Sequence, residues 1–287
     1  MVYLACILMS FLACLVLGQI DNVPMRKAWS TTCGLFIGFY FYGLNFIVNI
    51  SYIFGNYLLM RFLERELASY AMTIFSGTCL LAVSYYHFEI NPAEGTMDID
   101  MIFMMNFIKF HMMAVNYSNA AKLDDPVASK DFTSRERYFA EPLRRRMSFM
   151  EYVHYFFFCG AAWTGMSHEY RYFDEFINRR EDYKNIPKHK LFLPFLNRLV
   201  QWVFCLLIML VLSKMVNYQH LLTDEWANYS FFHRSNYLIG CVNMKVFNMY
   251  VGFVAMECNF IACGQSYCPE KKLADGKVQP EKFNNIR

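Results

Sequence analysis

Six ionisable side chains stand inside otherwise apolar stretches of this sequence, and their types and positions are suited to chemistry. They are Lys109, His111, Glu151, His154, Lys245 and Glu257. A charged group at membrane depth is expensive and usually faces a cavity or a partner. If the apolar stretches are membrane segments, these six residues are the first candidates for a functional site.

Glu151 and His154 are three residues apart, so they share one face of a helix. Such a pair can act as an acid and a base at the bottom of a funnel, or it can be a satisfied pair at a helix interface. Glu257, with Asn259 two residues later, is the best candidate for a cavity-lining polar group. For Lys109 and His111, snorkelling or a hydrogen bond to a neighbouring helix is favoured over a functional role.

Signatures of soluble enzymes are missing from the sequence. It contains no phosphate-binding glycine loop, no H-E-x-x-H and no G-x-S-x-G motif. A His and an Asp with four residues between them are also absent, because five residues lie between His168 and Asp174 and three between His220 and Asp224. Cys258, Cys263 and Cys268 lack a nearby His and do not share a helix face, so no metal site is predicted.

The composition is typical of a polytopic membrane protein. The chain has 287 residues, of which 56% are hydrophobic, 18% aromatic and only 18% charged. Its net charge of +3 argues against a nucleic-acid partner, and its basic residues lie in loops between apolar runs. Most of the ten cysteines fall inside apolar segments, where a thiol behaves as a small hydrophobe, so no disulfide framework is implied.

Residues 148–177, which we call the arm, organise the rest of the chain. The first half of the arm is apolar and aromatic, it is interrupted by small residues, and it then becomes charged and amphipathic. Basic residues flank it on both sides, and such clusters collect on the cytoplasmic face of a membrane. Both ends are therefore predicted on one side. A segment that enters a membrane without crossing must be enclosed by protein or line a wet cavity.

The remaining segments follow from hydropathy and flanking charge. Spans are predicted at residues 1–20, 67–86, 101–115, 191–216 and 237–264, with a broken hairpin at 31–60 and a surface helix within 168–190. Arg198 is expected to snorkel from the cytoplasmic end of its span. Residues 217–236 are assigned to the lumen, where Asn228 begins a glycosylation acceptor pattern. The connector 116–147 and the tail 265–287 are assigned to the cytoplasm.

Two segments carry a resemblance to a known family. The arm's YVHYFFFCGAAWTGMSHEYRYFDEFI and the later KVFNMYVGFVAMECNFIACGQSYCPEKK, residues 245–272, resemble landmarks of the membrane-bound O-acyltransferases, in their lysophospholipid branch. EKFNNIR, residues 281–287, is similar to the segment that introduces the catalytic half of that family. The family's Gly-Pro stands here as Gly165-Met166, and its catalytic Asn and His are expected beyond Arg287.

The resemblance implies an all-α polytopic bundle with re-entrant or broken helices, here a single membrane domain over residues 1–287 that forms the N-terminal part of the fold. It implies acyl transfer from acyl-CoA, as a co-substrate and with no cofactor, to a lysophospholipid hydroxyl in the endoplasmic reticulum or another organelle membrane. The resemblance assigns no catalytic residue to any position of this sequence. Substrate-tunnel candidates are Glu257, Asn259, His154, Glu151 and Trp163, and candidates for CoA phosphates are Arg144, Arg145 and Arg146.

Two alternatives come from other classes of protein. A non-catalytic integral subunit or scaffold would use the same bundle to pack against partner membrane proteins. A transporter is disfavoured because the sequence shows no inverted repeat. For Arg144, Arg145 and Arg146, a simple role in setting membrane topology is favoured over phosphate binding.

Overall fold

The described part of the chain folds into a bundle of ten α-helices, seen in a computed structural model. The structure describes residues 2–90, 99–123, 125, 130, 132–162, 167–217, 220, 221, 223, 226, 228–269, 271–272 and 278–279. The α-helices are α1 (Val2–Gln19), α2 (Val23–Tyr42), α3 (Phe46–Phe62), α4 (Arg65–Ile90), α5 (Ile99–Lys122), α6 (Ser134–Ala140), α7 (Phe149–Phe156), α8 (Tyr170–Ile177), α9 (Lys188–Met215) and α10 (Phe231–Cys263). Short 3-10 turns occupy Gly43–Asn45, Glu141–Leu143 and Glu181–Tyr183, and strands β1 (Lys271–Lys272) and β2 (Val278–Gln279) pair antiparallel.

Within the described residues, five stretches are long and apolar enough to cross a membrane. They are Val2–Gln19, Val23–Phe62, Arg65–Tyr86, Lys188–Met215 and Phe231–Cys263. Large apolar side chains on their outer faces are exposed, among them Leu12, Ile74 and Phe204. In a soluble protein these exposed apolar side chains would promote aggregation, whereas in a membrane lipid covers them. The predicted all-α membrane bundle is therefore confirmed.

Helix α5 differs from these spans because one of its faces packs deep into the protein, whereas Met104, Ile108 and Val115 on the other face are exposed. Phe103, Phe110, Met113 and Tyr117 are each at most 2% exposed and belong to the main hydrophobic core. The aromatic rings of this core stack across helices, as Tyr52 of α3 does on Phe103 at 4.4 Å. The buried face of α5 is thus a surface against which the arm can pack.

Helices α2 and α3 form the predicted broken hairpin, and α7 lies between its two limbs. The chain changes direction at Gly43, whose φ is 58°. Glycine adopts this conformation without a steric cost. From the α2 side, Thr31 contacts His154 of α7, and from the α3 side the carbonyl of Ile53 accepts a hydrogen bond from the Tyr152 hydroxyl. The hairpin is longer than the predicted residues 31–60 because both helices extend past its ends.

Helices α9 and α10 form a second, antiparallel hairpin. Arg198 of α9 meets Glu257 near one end, and the Tyr237 hydroxyl contacts the backbone of Asn217 at the other. Apart from Cys241, the buried residues of α10 lie in its last turns, which pack against α1 in a smaller hydrophobic core. Most of this hairpin consequently presents apolar side chains outward.

Charged side chains collect at one end of the bundle. We call this end the basic face, and it carries Lys122, Arg145, Arg179 and Lys188 together with their acidic partners. Asp21, between α1 and α2, pairs with Arg179 at 2.5 Å and with Lys188 at 3.2 Å. The hydrogen bond from Lys188 and the nearby Arg179 hold the pKa of Asp21 below its ordinary value. On the same face, Lys122 at the end of α5 pairs with Glu66 at 3.3 Å. Helix α9 has 28 residues. At 1.5 Å per residue, its far end therefore lies about 40 Å from the basic face.

Candidate functional site

The arm enters the bundle and returns without crossing it. Helix α7 has eight residues. It is therefore about 12 Å long, far short of the roughly 30 Å that a span requires. It begins at a capping box in which Ser148 and Glu151 bond each other's backbone N–H groups. The chain then turns at residues 157–162 and comes back through α8, and the Tyr155 hydroxyl donates to the carbonyl of His168 to tie the two limbs together.

Both ends of the arm meet on the basic face. An open pocket of about 240 Å³ is lined by Arg145 before α7 and by Asp174 and Arg180 at the far end of the arm. Arg180 pairs with Asp174 at 3.2 Å, and Arg171 pairs with Glu175 at 2.7 Å. The two ends of the arm therefore lie next to each other, as an arm that enters and leaves on one side requires.

The closed end of the arm is held by a buried polar network. The Ser10 hydroxyl donates to the carbonyl of Cys159 at 2.8 Å. The Asn259 amide donates to the Ser10 oxygen at 2.7 Å and to the carbonyl of Gly160 at 3.0 Å. Non-helical backbone at membrane depth needs such partners because neither water nor lipid supplies them. Asn259 is therefore an anchor of the arm's turn, a role that its sequence position alone did not show.

Helix α2 approaches the same turn with no side chain between them. A Cβ added at Gly34 would lie 1.9 Å from the carbonyl oxygen of Phe157. The backbone N–H of Cys159 donates to Ser30 of the same helix at 3.4 Å. The glycine at position 34 thus permits direct contact between α2 and the arm, and residues 157–162 become enclosed on every side that the structure describes.

Glu151 and His154, the predicted acid and base, have other partners in the structure. The Glu151 carboxylate accepts from the backbone and hydroxyl of Ser148 at 2.9 Å and pairs with Arg145 at 2.5 Å. The ring nitrogen Nδ1 of His154 lies 2.7 Å from the Thr31 hydroxyl. Of the two readings left open, the structure favours satisfied interface groups over a catalytic pair.

Glu257 pairs with Arg198, and together they link α10 to α9. Their side chains are 2.6 Å apart and each is about one quarter exposed. Arg198, which was expected to snorkel, directs its guanidinium to this carboxylate. The sequence analysis singled out Glu257 and left its partner unidentified. Trp163, Gly165 and Met166 of the arm, and residues 281–287, lie outside the described residues.

The other three ionisable groups differ sharply in burial. Lys109 is 0% exposed and its Nζ has no hydrogen-bond partner in the described chain, so neither the snorkelling nor the hydrogen bond predicted for it is found. His111 is exposed and lies 3.5 Å from the Thr73 hydroxyl of α4. Lys245 is exposed on α10 and is not buried as its apolar setting suggested. Asn228, the glycosylation candidate, is also exposed.

Three consecutive arginines stand at the entrance to the arm. Arg144 pairs with Glu141 at 3.2 Å, Arg145 pairs with Glu151, and Arg146 donates to the carbonyl of Arg61 at 2.8 Å. A second open pocket, of about 530 Å³, is lined by Arg146 together with Arg65, Lys122 and the acidic Glu64, Glu66 and Asp125. The three arginines therefore hold the connector against α3 and α7 while remaining within reach of solvent.

Arg26 is a structural residue that the sequence analysis did not single out. It is 1% exposed, and its guanidinium donates to the carbonyls of Leu17 and Ile20 at 3.0 Å. It also lies 4.6 Å from the centre of the Phe176 ring of α8. Arg26 thus satisfies the last carbonyls of α1 and joins them to the returning limb of the arm.

The similarity of this chain to known proteins is found at the level of a family. No curated protein matches the chain. The family model of the membrane-bound O-acyltransferases matches residues 56–270, a region that includes the whole arm and residues 245–270 of the second landmark segment. With a match over most of its length and a bundle of apolar helices, the chain is a multi-pass membrane protein that belongs to the membrane-bound O-acyltransferase family.

Proposed function

We propose that this protein takes part in moving an acyl chain from acyl-CoA to the hydroxyl of a lysophospholipid, in the endoplasmic reticulum or a related membrane. The observation that carries the proposal is the family match over residues 56–270, which contains the arm that enters and leaves through the basic face. The scaffold alternative is not favoured by this match. The acceptor and the donor rest on the resemblance of the two landmark segments to the lysophospholipid branch.

The entrance of the arm suits the phosphates of CoA. Arg145 and Arg146 are exposed, and a cluster of like charges raises the local concentration of an anionic substrate. Their present partners are one carboxylate and one backbone carbonyl, so each guanidinium retains donors for a phosphate. The apolar interior behind them suits the acyl chains.

The roles proposed for this chain are binding and positioning roles. No residue of this chain is assigned as general base, because none of its positions matches the catalytic Asn or the catalytic His of the family that it resembles. Glu151, His154 and Asn259 each hold the arm in place through the contacts described above. Substitution of these residues should therefore act through the shape of the arm and not through proton transfer.

The test is an acyl-transfer assay on membranes from cells that express the full-length protein. Labelled acyl-CoA and a panel of lysophospholipids are supplied, and we expect acyl-CoA-dependent formation of diacyl phospholipid. The double change R145Q/R146Q should raise KM for acyl-CoA about 3- to 10-fold, since two solvent-exposed charge contacts are lost. The matched control is K214Q at the opposite end of α9, which should leave KM unchanged.

Two results would overturn the proposal. One is the absence of transfer to every lysophospholipid although the protein is present in the membrane at normal amounts. The other is transfer only to acceptors that lack a glycerophosphate, such as a sterol or a protein hydroxyl. An unchanged KM in R145Q/R146Q would remove the phosphate role of the arginines and leave their structural role.

A further inference from the structure

The ammonium of Lys109 lies in the interior of the protein with all three of its donors unused. The residue is 0% exposed, and Nζ has no hydrogen-bond partner among the residues that the structure describes. A buried charge that is neither paired nor hydrogen-bonded is strongly destabilising. The buried side chain of Lys109 therefore lowers the stability of the protein, and packing alone does not explain why it is there.

Two aromatic rings lie near Lys109, and no atom of the described chain forms a hydrogen bond with its Nζ. Its Nζ lies 5.4 Å from the centre of the Tyr155 ring and 5.8 Å from that of Phe156, both on α7. Aromatic faces attract an ammonium through their quadrupoles and so help to retain its charge. The ammonium thus sits at the boundary between α5 and the arm, where the chain enters the bundle and turns back.

The Glu169 carboxylate, near this boundary, already accepts a hydrogen bond from another residue of α5. Asn116 is seven residues after Lys109 in the sequence. It therefore lies on the same face of α5, about 10 Å further along the helix. Its amide donates to the Glu169 carboxylate at 2.9 Å, and Lys122, at the end of the same helix, pairs with Glu66. Of these two lysines on α5, the one at the surface has an anionic partner and the buried one has none in the described chain.

We infer that Lys109 binds an anionic phosphate oxygen of a ligand that enters between α5 and the arm. If the proposed function holds, on which this choice of ligand rests, the phosphate is that of the lysophospholipid acceptor. Helix α5 ends at Lys122 on the basic face, thirteen residues after Lys109. That separation corresponds to about 20 Å along the helix. Because the arginines at that face are proposed for the CoA phosphates, the buried lysine is left for the phosphate of the lipid acceptor.

The inference is tested by binding to the full-length protein in detergent, without turnover. The probes are lysophosphatidic acid, a monoacylglycerol with the same acyl chain but no phosphate, and coenzyme A. Affinities are obtained from ligand-dependent shifts in Tm. We expect wild type to bind lysophosphatidic acid more tightly than the monoacylglycerol, and K109M to weaken the phosphate lipid about 10- to 100-fold, to the level of the neutral one.

Two further variants and the ligand-free Tm make the test specific. K245M removes an exposed lysine from α10 and should leave all three affinities unchanged. K109R keeps the charge and should bind lysophosphatidic acid more tightly than K109M. Without ligand, K109M should melt at the wild-type temperature or above it, because methionine removes an unpaired buried charge.

The outcomes separate the sources of the phosphate and the two proposals. Loss of coenzyme A binding alone in K109M would support a phosphate site and overturn its assignment to the lipid. Unchanged binding of lysophosphatidic acid in K109M would overturn the inference. Because the assay requires no acyl transfer, a protein that binds the lipid through Lys109 but transfers nothing would refute the proposed function only.

Discussion

Replacement of Gly34 by alanine tests the close contact between α2 and the arm's turn. The added Cβ would lie 1.9 Å from the Phe157 carbonyl oxygen and 2.8 Å from its carbonyl carbon. Both atoms belong to backbone, so a change of rotamer cannot relieve the clash. To restore van der Waals separation, the turn must retreat by about 1 Å. That movement opposes the hydrogen bonds that hold Cys159 to Ser10 and Ser30.

The expected cost follows from two opposing effects. Alanine improves helix propensity by up to about 1 kcal/mol relative to glycine. Overpacking of a well-packed interior costs about 1–3 kcal/mol, and more where backbone must move. We expect a net loss of about 1–2 kcal/mol, or a Tm lower by about 2–8 °C for a chain of this size. Acyl-transfer activity should fall further than stability, because the displaced segment is the arm itself.

The matched control is G77A, another helical glycine. Its added Cβ would lie 3.6 Å from the Phe107 ring, an ordinary van der Waals contact. Without a clash, the gain in helix propensity should leave Tm unchanged or raise it by a few degrees. Both variants are melted in the same detergent and assayed in the same membranes. If G34A is as stable and as active as G77A, α2 does not touch the turn and the description of the enclosed arm is wrong.

Two further substitutions examine the polar contacts around the arm and between the last two helices. N259L leaves the Gly160 carbonyl and Ser10 without their donor and should cost about 1–3 kcal/mol in thermal unfolding, whereas N243L, at an exposed position of α10, should cost little. Equal melting of the two would contradict the anchoring role. E257L should destabilise the protein by about 1–3 kcal/mol and lower activity because it strands Arg198, and R198L/E257L should recover much of the loss. If the double variant melts at the temperature expected from adding the losses of E257L and R198L, the two side chains are not coupled.

The path of the arm was predictable from sequence because two independent signals agreed. An apolar run broken by small residues is too irregular to span, and basic clusters on both flanks place its ends together. The capping box at Ser148 and Glu151 is likewise a local pattern. Local sequence therefore specified that the arm enters and returns.

The contacts that enclose the arm were not predictable, because they join residues far apart in the chain. Ser10 and Asn259 are separated by nearly the whole sequence, and nothing in their neighbourhoods marks them as partners. Arg26 follows the first apolar run and has no sequence signal for burial, yet it is buried against carbonyls of α1. Lys109 looked like a snorkelling residue, but it lies on the buried face of its helix, a fact that hydropathy cannot supply.

Glycosylation mapping tests the central claim, which is that the arm enters and leaves the membrane on one side. Acceptor sites are inserted singly into the connector 116–147 and into residues 178–187, before and after the arm, and Asn228 serves as the reference on the opposite end of the bundle. We predict modification at Asn228 and none at either inserted site. A glycan on the segment after the arm but not on the segment before it would show that the arm crosses the membrane and would contradict the account.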